Sequence, residues 1–388
     1  MKKSRYCYIK ARFYGGITMD KAFFNYENFK TDKIRGVDAK FEAQKIAFSP
    51  LSFQAVNALL EFGVMKIIED AGDDGISLAE ISEKSGISKY GLSVICEMAL
   101  GMDVLKLSAD SNPENEKFVL GKIGWMLLED DLTRVNFRFT NDICFQGSFN
   151  LEESIKNGRP EGLKVFGDQW VTVYEALSTL PEKAKKSWFE FDHYYSDIAF
   201  PEALPIVFAD NPKTIVDIGG NTAKWSLACC SYDKSVKMTI VDLPGQTKVA
   251  AENAEKAGFA DRISFCEGNI LRESTKLPEN PDAFWMSQFL DCFSLRQITK
   301  IMKKIHEAAG VKTKVYVLEP LCDCQRFNAA AYSLQATSLY FTCIANGNSK
   351  MYRFKELCDA ICEGGFKLDC AHHNLGSNSY SLLVFKKI

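Results

Sequence analysis

One stretch of the 388-residue chain sets an acid and two glycines where a ligand can reach the backbone: Val216-Asp217-Ile218-Gly219-Gly220-Asn221-Thr222-Ala223. The β-branched run before the glycines reads as a strand and the run after them as a helix, so they fall on a strand-to-helix turn. Such a turn presents backbone amides at a helix N-terminus and lets a ligand approach closely. A second acid, Asp242 in Val-Asp-Leu-Pro, comes 25 residues after Asp217 and ends the next strand-like run. A carboxylate at that place can accept hydrogen bonds from both hydroxyls of an adenosine ribose.

The turn lacks the GxGxxG spacing whose glycines admit a pyrophosphate. Asp217 beside it repels phosphate but suits an ammonium group. S-adenosylmethionine has adenosine, an amine and a sulfonium and no phosphate, and it fits these residues better than a dinucleotide. Two further acids sit where ligands bind in such sheets. Asp291 falls in the loop after a fourth strand, just ahead of a helix opened by the capping box Ser294-x-x-Gln297. Glu319 ends a fifth strand.

The elements that must position these residues alternate strand and helix from residue 213 onward. Strands are expected at 214–219, 236–242, 263–267, 282–288 and 314–319, with two more within 366–388. Helices are expected at 246–257, 295–309 and 354–363. This is α/β: a Rossmann-like, largely parallel sheet with helices on both faces. Ahead of it, apolar residues from Phe53 to Ile68 recur at helical spacing as one stripe. Ser77-Leu-Ala-Glu80 is a capping box, Gly86 a turn, Ser88 a second cap, and Val104–Leu107 and Lys117–Leu120 are β-like runs. Helix, helix-turn-helix and a two-stranded wing outline an α-rich winged-helix domain. Its second helix offers Lys89 as a base and opposes it with Glu97, so a packing or dimerising role is favoured over DNA binding. Between the two regions, Trp170, Tyr174, Trp188, Phe189, Phe191, Tyr194 and Tyr195 suit either buried helices or the walls of a pocket for a flat substrate. The organisation read from these patterns is an arm at 1–40, a winged-helix domain at 41–130, an aromatic helical linker at 131–205 and a cofactor-binding domain at 206–388.

Composition sets limits on all of this. The chain is 46% hydrophobic and 25% charged, with formal net charge −3, so no global basic footprint for nucleic acid exists. No apolar run reaches the ~20 residues of a membrane span. Thirteen cysteines include no CxxC pair and have no clustered histidines, which favours reduced buried thiols, a cytoplasmic location and no metal site. The basic, aromatic residues 1–16 have no secretory apolar core, and Met19 is a candidate start.

The motifs VDIGG (216–220), VDLPG (241–245), EGNI (267–270), FWMSQFLDCFS (284–294), VYVLEP (315–320) and EGGF (363–366) together resemble the S-adenosylmethionine-dependent small-molecule O-methyltransferases of the plant caffeate and acetylserotonin type and their bacterial relatives. The resemblance covers roughly residues 49–388. It implies a homodimer built through the N-terminal domain, with no nucleic acid and no membrane as partner. Cofactor contacts are implied for Asp217, Gly219, Gly220, Asn221, Asp242, Leu243, Gly268, Asn269, Ile270 and Ser287. Three departures touch that set: Asn221 and Ala223 replace loop glycines, and Asn269 replaces the acid on the adenine side. A fourth touches catalysis, because Asp291 stands where the family has its catalytic histidine. Glu319 matches the carboxylate that orients this histidine, and Met351 stands where a partner acid is expected. None of the four histidines substitutes convincingly. The implied reaction is methyl transfer to an oxygen of a small aromatic or polyketide-like acceptor, with Asp291 as base and Glu319 in support. A non-methylating enzyme and a cofactor-binding winged-helix regulator are the alternatives.

Overall fold

The computed structural model describes residues 12–14, 30–377 and 379–388; the candidate start at Met19 lies outside them. The described residues form two compact units: Thr31–Asn141, and Asp142–Ile388 together with the short strand β1 (Arg12–Tyr14).

In the first unit, helices Ser49–Glu61, Val64–Asp70, Leu78–Ser85 and Lys89–Gly101 surround a core that includes Leu59, Ile68, Ile81, Leu92 and Cys96. Three antiparallel strands, β2 (Ile76–Ser77), β3 (Leu105–Leu107) and β4 (Lys117–Leu120), lie in the order β2-β4-β3. The expected two-stranded wing therefore gains a third strand. The expected single stripe from Phe53 to Ile68 is two helices bent by 63°. The break falls at Gly63, whose φ of 68° is open to glycine at little cost. Ser77 and Glu80 exchange both bonds of their capping box, at 3.3 and 2.9 Å. The helix Gly36–Ala47 buries none of its side chains, and so left no apolar stripe in the sequence. Among the described residues no single helix is long and apolar enough to cross a membrane.

The second unit holds strands β5 (Thr214–Ile218), β6 (Lys237–Asp242), β7 (Ile263–Glu267), β8 (Ala283–Ser287), β9 (Lys314–Glu319), β10 (Phe366–Leu375) and β11 (Tyr380–Lys387). Their order is β1-β10-β11-β9-β8-β5-β6-β7, with β11 antiparallel to both neighbours and β5 to β9 parallel. Ile215, Phe284, Trp285, Val315 and Val317 are buried, as expected of strands covered on both faces. The chain runs from β5 outward through β6 and β7, then returns to β8 on the other side of β5. The carboxyl ends of β5 and β8 are thus the switch point, where open α/β sheets bind ligands.

Helix Leu295–Ala308 lays Ile298, Ile301, Met302 and Ile305 into the core at three- and four-residue spacing. Trp225 stacks on Trp285 with centroids 3.6 Å apart, and Phe200 meets both rings edge-on. Asp282 fastens β5 beside β8 by accepting from the amides of Lys213 and Thr214 at 2.7 and 2.9 Å.

The turn after β5 carries strain. Asn221 and Ala223 both have positive φ, 46° and 70°, and Ala223 is fully buried as the residue before helix Lys224–Tyr232. A left-handed backbone costs an L residue other than glycine ~1–2 kcal/mol, less readily for Asn. Ala223→Gly is therefore expected to raise unfolding free energy by up to ~1 kcal/mol in urea denaturation, after glycine's extra unfolded-state entropy. A loss of stability would show that the methyl group's packing outweighs the strain.

Candidate active site

The carboxyl ends of β5, β6, β8 and β9 deliver Asp217, Asp242, Ser287 and Glu319, and the loops after them deliver Gly219 to Asn221 and Asp291. Asp217 is buried at the turn. It is 2% exposed, lies beneath the position a Gly220 side chain would occupy, and accepts from Ser226 Oγ at 2.7 Å. Burial pushes its carboxyl up to about 7.

Asp242 is held by the backbone. Its Oδ2 accepts from Asn221 N at 2.8 Å and its Oδ1 from Leu243 N at 2.7 Å. A carboxylate has about four acceptor positions, so two remain for a pair of hydroxyls. Gly268 follows β7, its amide bonded to Asp242 O, and a side chain there would strike Thr275. Asn269 is exposed and spends its Oδ1 on Leu271 N at 2.9 Å. Ile270 is buried in the sheet core.

Gly219 also packs closely against an aromatic side chain. A Cβ there would lie 2.2 Å from the ring of Phe289, so glycine is required by an aromatic neighbour as well as by its φ of 76°. The hydroxyls of Ser287 and Thr222 and the amide oxygen of Gln288 are buried without a hydrogen-bond partner. Orphaned polar atoms at the switch point are costly unless a ligand meets them.

The loop carrying Asp291 is pinned from several directions. Glu319 Oε1 accepts from Phe289 N at 3.0 Å and Leu290 N at 2.8 Å. Asn346 donates to Cys292 O at 3.0 Å, Tyr352 to Phe293 O at 2.6 Å, and Ser294 caps the next helix with Gln297. Asp291 and Glu319 are 5% and 2% exposed. Burial lifts Asp291 to about 7, and burial together with Asp291 lifts Glu319 well above the ordinary carboxyl range.

The histidines lie elsewhere. His193 stacks on Phe189, His306 packs edge-on against Phe366, His372 approaches Cys370, and His373 bonds Ser381 Oγ at 2.8 Å. Among the described residues no group of three or more His, Cys, Asp or Glu is arranged to hold a metal ion. Taken together, this edge of the sheet holds the Asp242 carboxylate on two backbone amides, unmet hydroxyls of Ser287 and Thr222, and the buried carboxyl of Asp291.

Residues 149–367 match the O-methyltransferase domain family, and residues 40–112 match a Dimerisation2-like domain. The chain belongs to the O-methyltransferase domain family. The L-tyrosine C(3)-methyltransferase of Streptomyces lavendulae is 18% identical over 324 residues, 83% of this chain and 85% of that protein. The phenazine-1-carboxylate N-methyltransferase of Pseudomonas aeruginosa is 22% identical over 217 residues, 56% of this chain and 61% of that one. Among solved structures, the O-methyltransferase NcsB1 from neocarzinostatin biosynthesis, in complex with S-adenosylmethionine and 2-hydroxy-5-methyl naphthoic acid, has a TM-score of 0.64 at 18% identity, over 87% of this chain and 96% of its own. The methyltransferase relatives thus carry names with carbon, nitrogen and oxygen chemistry on one fold.

Two polar residues at this edge of the sheet are not signalled by the sequence motifs. Asp192, on helix Glu182–Ser196, accepts from Asn221 Nδ2 at 3.1 Å, and burial raises it to about 7. Its signal was an acid inside the aromatic run Phe189 to Tyr195. Tyr380 opens β11, is fully buried, and has a hydroxyl without a partner. Only its place at the strand end announces it, and that needs the register of β11 against β9.

Asp192, Asp217 and Asp291 each rise to about 7 from 3.8. The folded chain therefore keeps protons that the unfolded chain gives up near pH 4. The stability they contribute is complete below about pH 4 and lost as pH climbs through about 7. Urea midpoints are expected to fall between about pH 5 and pH 8, and Asp217→Asn, which keeps an acceptor for Ser226, is expected to flatten that slope. A slope unchanged by the substitution would contradict the assignment.

Proposed function

We propose that the chain transfers a methyl group from S-adenosylmethionine to an oxygen of a small aromatic or polyketide-like acceptor, acting as a cytoplasmic homodimer. The observation that carries this reading is the arrangement at the switch point: a half-engaged Asp242 carboxylate and unmet hydroxyls on one side, the pinned Asp291 loop on the other. When bound, the cofactor supplies an electrophilic methyl on a sulfonium. Asp242 would accept the ribose hydroxyls, and Gly219, Gly220, Asn221 and Ser287 would meet the amino-acid end. Leu243, Gly268, Asn269 and Ile270 would flank the adenine, and Asp217 would support the turn from beneath.

Asp291 would take the proton of the acceptor hydroxyl. An ordinary Asp falls ~6 pKa units short of a phenol, a gap of ~8 kcal/mol per proton. Desolvation that lifts Asp291 to about 7 cuts this gap roughly in half. Glu319 acts through the loop, since its bonds to Phe289 N and Leu290 N set the position of Asp291.

Dimerisation is supported by the apolar outer faces of the first unit. Helix Lys89–Gly101 exposes Tyr90, Val94 and Met98 at four-residue spacing, and Val37, Phe41 and Leu51 are exposed on the preceding helices. Faces of this kind suit a symmetry mate better than a phosphate backbone. Light scattering is expected to give about twice 43.6 kDa, and a stable monomer at micromolar concentration would contradict the dimer.

The reaction itself is tested with labelled S-adenosylmethionine and a panel of phenols and catechols, read by mass spectrometry. Asp291→Asn should lower turnover by ~10²–10⁴ while S-adenosylhomocysteine affinity stays intact. Turnover unchanged in Asp291→Asn would remove it from the chemistry.

A further inference from the structure

One residue of the glycine turn holds two acids at once. Asn221 donates its backbone amide to Asp242 Oδ2 at 2.8 Å and its side-chain Nδ2 to Asp192 Oδ2 at 3.1 Å. Asp242 is the carboxylate assigned to the ribose, while Asp192 belongs to the aromatic helix Glu182–Ser196. Asn221 is left-handed, with a φ of 46°. Glycine takes that conformation freely, yet it has no side chain to reach Asp192. The asparagine in place of a loop glycine therefore costs backbone strain and adds one long-range bond.

The helix is anchored in two places. Nearer its start it is fastened away from the turn, with Ser187 Oγ donating to Asp142 Oδ2 at 2.6 Å and Trp188 Nε1 to Tyr340 Oη at 2.8 Å. Nearer its end it is fastened to the turn, by Asn221 on Asp192 and by Lys224, whose Nζ lies 3.4 Å from Asp197 just past the helix. Both members of the lysine pair are more than a third exposed or close to it, so water screens them and the pair holds little alone. Phe189, Phe191, Tyr194 and Tyr195 fall between the two sets of anchors in the chain. The bond from Asn221 is thus the main polar tie between these rings and the cofactor turn among the described residues.

We infer that Asn221 and Asp192 are positioning residues that clasp helix Glu182–Ser196 to the cofactor turn, so that a nucleoside whose ribose occupies Asp242 also fixes the helix. The inference rests on the methyl-transfer reading for taking that nucleoside to be S-adenosylmethionine or its product. The ribose hydroxyls donate to the positions of Asp242 that Asn221 and Leu243 leave free. A carboxylate engaged on all sides holds the Asn221 amide, and with it the left-handed turn that presents Nδ2 to Asp192. The bond serves whether or not Asp192 keeps its proton, because the amide donates and a carbonyl oxygen of the acid accepts. Coupling of this kind is reciprocal: the clasp that steadies the helix also tightens the nucleoside. On the methyl-transfer reading, cofactor occupancy sets the aromatic segment expected to receive the acceptor.

The test is hydrogen–deuterium exchange on the full-length protein, with and without S-adenosylhomocysteine at a concentration that calorimetry shows to be saturating for each variant. In the unsubstituted chain the ligand is expected to slow amide exchange of helix Glu182–Ser196 by at least about fivefold. Asn221→Gly, which relieves strain as it removes the donor, and Asp192→Ala, which removes the acceptor, should each abolish that slowing while peptides of the turn stay protected by the ligand. Asp192→Asn keeps an oxygen for Asn221 and should retain it, which a role in stability alone would not require. Absence of the slowing in the unsubstituted chain, its persistence in both Asn221→Gly and Asp192→Ala, or an Asp192→Asn that behaves like Asp192→Ala overturns the inference. If S-adenosylhomocysteine does not bind at all, the methyl-transfer reading fails, and the ligand-free chains decide the clasp: faster exchange of the helix in Asn221→Gly than in the unsubstituted chain upholds it, and equal exchange overturns it.

Discussion

Five carboxyl groups lie at or beneath the carboxyl edge of one sheet, mostly out of water, and the local structure is arranged around their cost. A buried acid must find donors or keep its proton. Asp242 finds the amides of Asn221 and Leu243, Glu319 those of Phe289 and Leu290, and Asp217 the hydroxyl of Ser226. The loops accept awkward conformations around these bonds. Asn221 turns left-handed as it offers its amide to Asp242, and Gln288 does so just before the two amides that reach Glu319. One oxygen of Glu319 is left unmet, a penalty of ~1–3 kcal/mol that a folded enzyme can tolerate where a ligand will later arrive.

That penalty is bearable because the scaffold beneath is dense and apolar. Trp225 on Trp285, with Phe200 against both, fills one face of the sheet, and helix Leu295–Ala308 fills the other. The capping box of Ser294 and Gln297 starts this helix at a defined residue, so the three residues before it cannot slide. Asn346 and Tyr352 then tie the same loop to the segment before helix Phe354–Glu363. Asp291 is positioned by contacts on both flanks.

Much of this frame is legible in the sequence. Runs such as Thr214 to Ile218 and Val315 to Leu318 are apolar and β-branched because both faces are covered, and that pattern survives in sequence. Both capping boxes depend on residues three apart, so they too are local. What stayed hidden depends on distant partners. The packing of Phe289 on Gly219 joins residues 70 apart in sequence and gives that glycine a second reason. Asp192 reaches the edge of the sheet through Asn221, and Tyr380 through the pairing of β11 with β9. The bend at Gly63 was missed because a stripe of apolar residues continues across it, and helix Gly36–Ala47 because it buries nothing. The bond of Asp217 to Ser226, nine residues on, is likewise visible only in the fold.

The account stands on acids that hold their protons because burial outweighs their donors. Infrared titration measures this directly through the carbonyl absorption of protonated carboxyl groups. Near pH 6, where ordinary carboxyls with pKa ~4 are almost wholly ionised, the folded protein should still show that absorption. Asp291→Asn should diminish it, since burial lifts this group to about 7. A folded protein with no protonated carboxyl signal near pH 6, or one whose signal is unchanged in Asp291→Asn, would contradict the account.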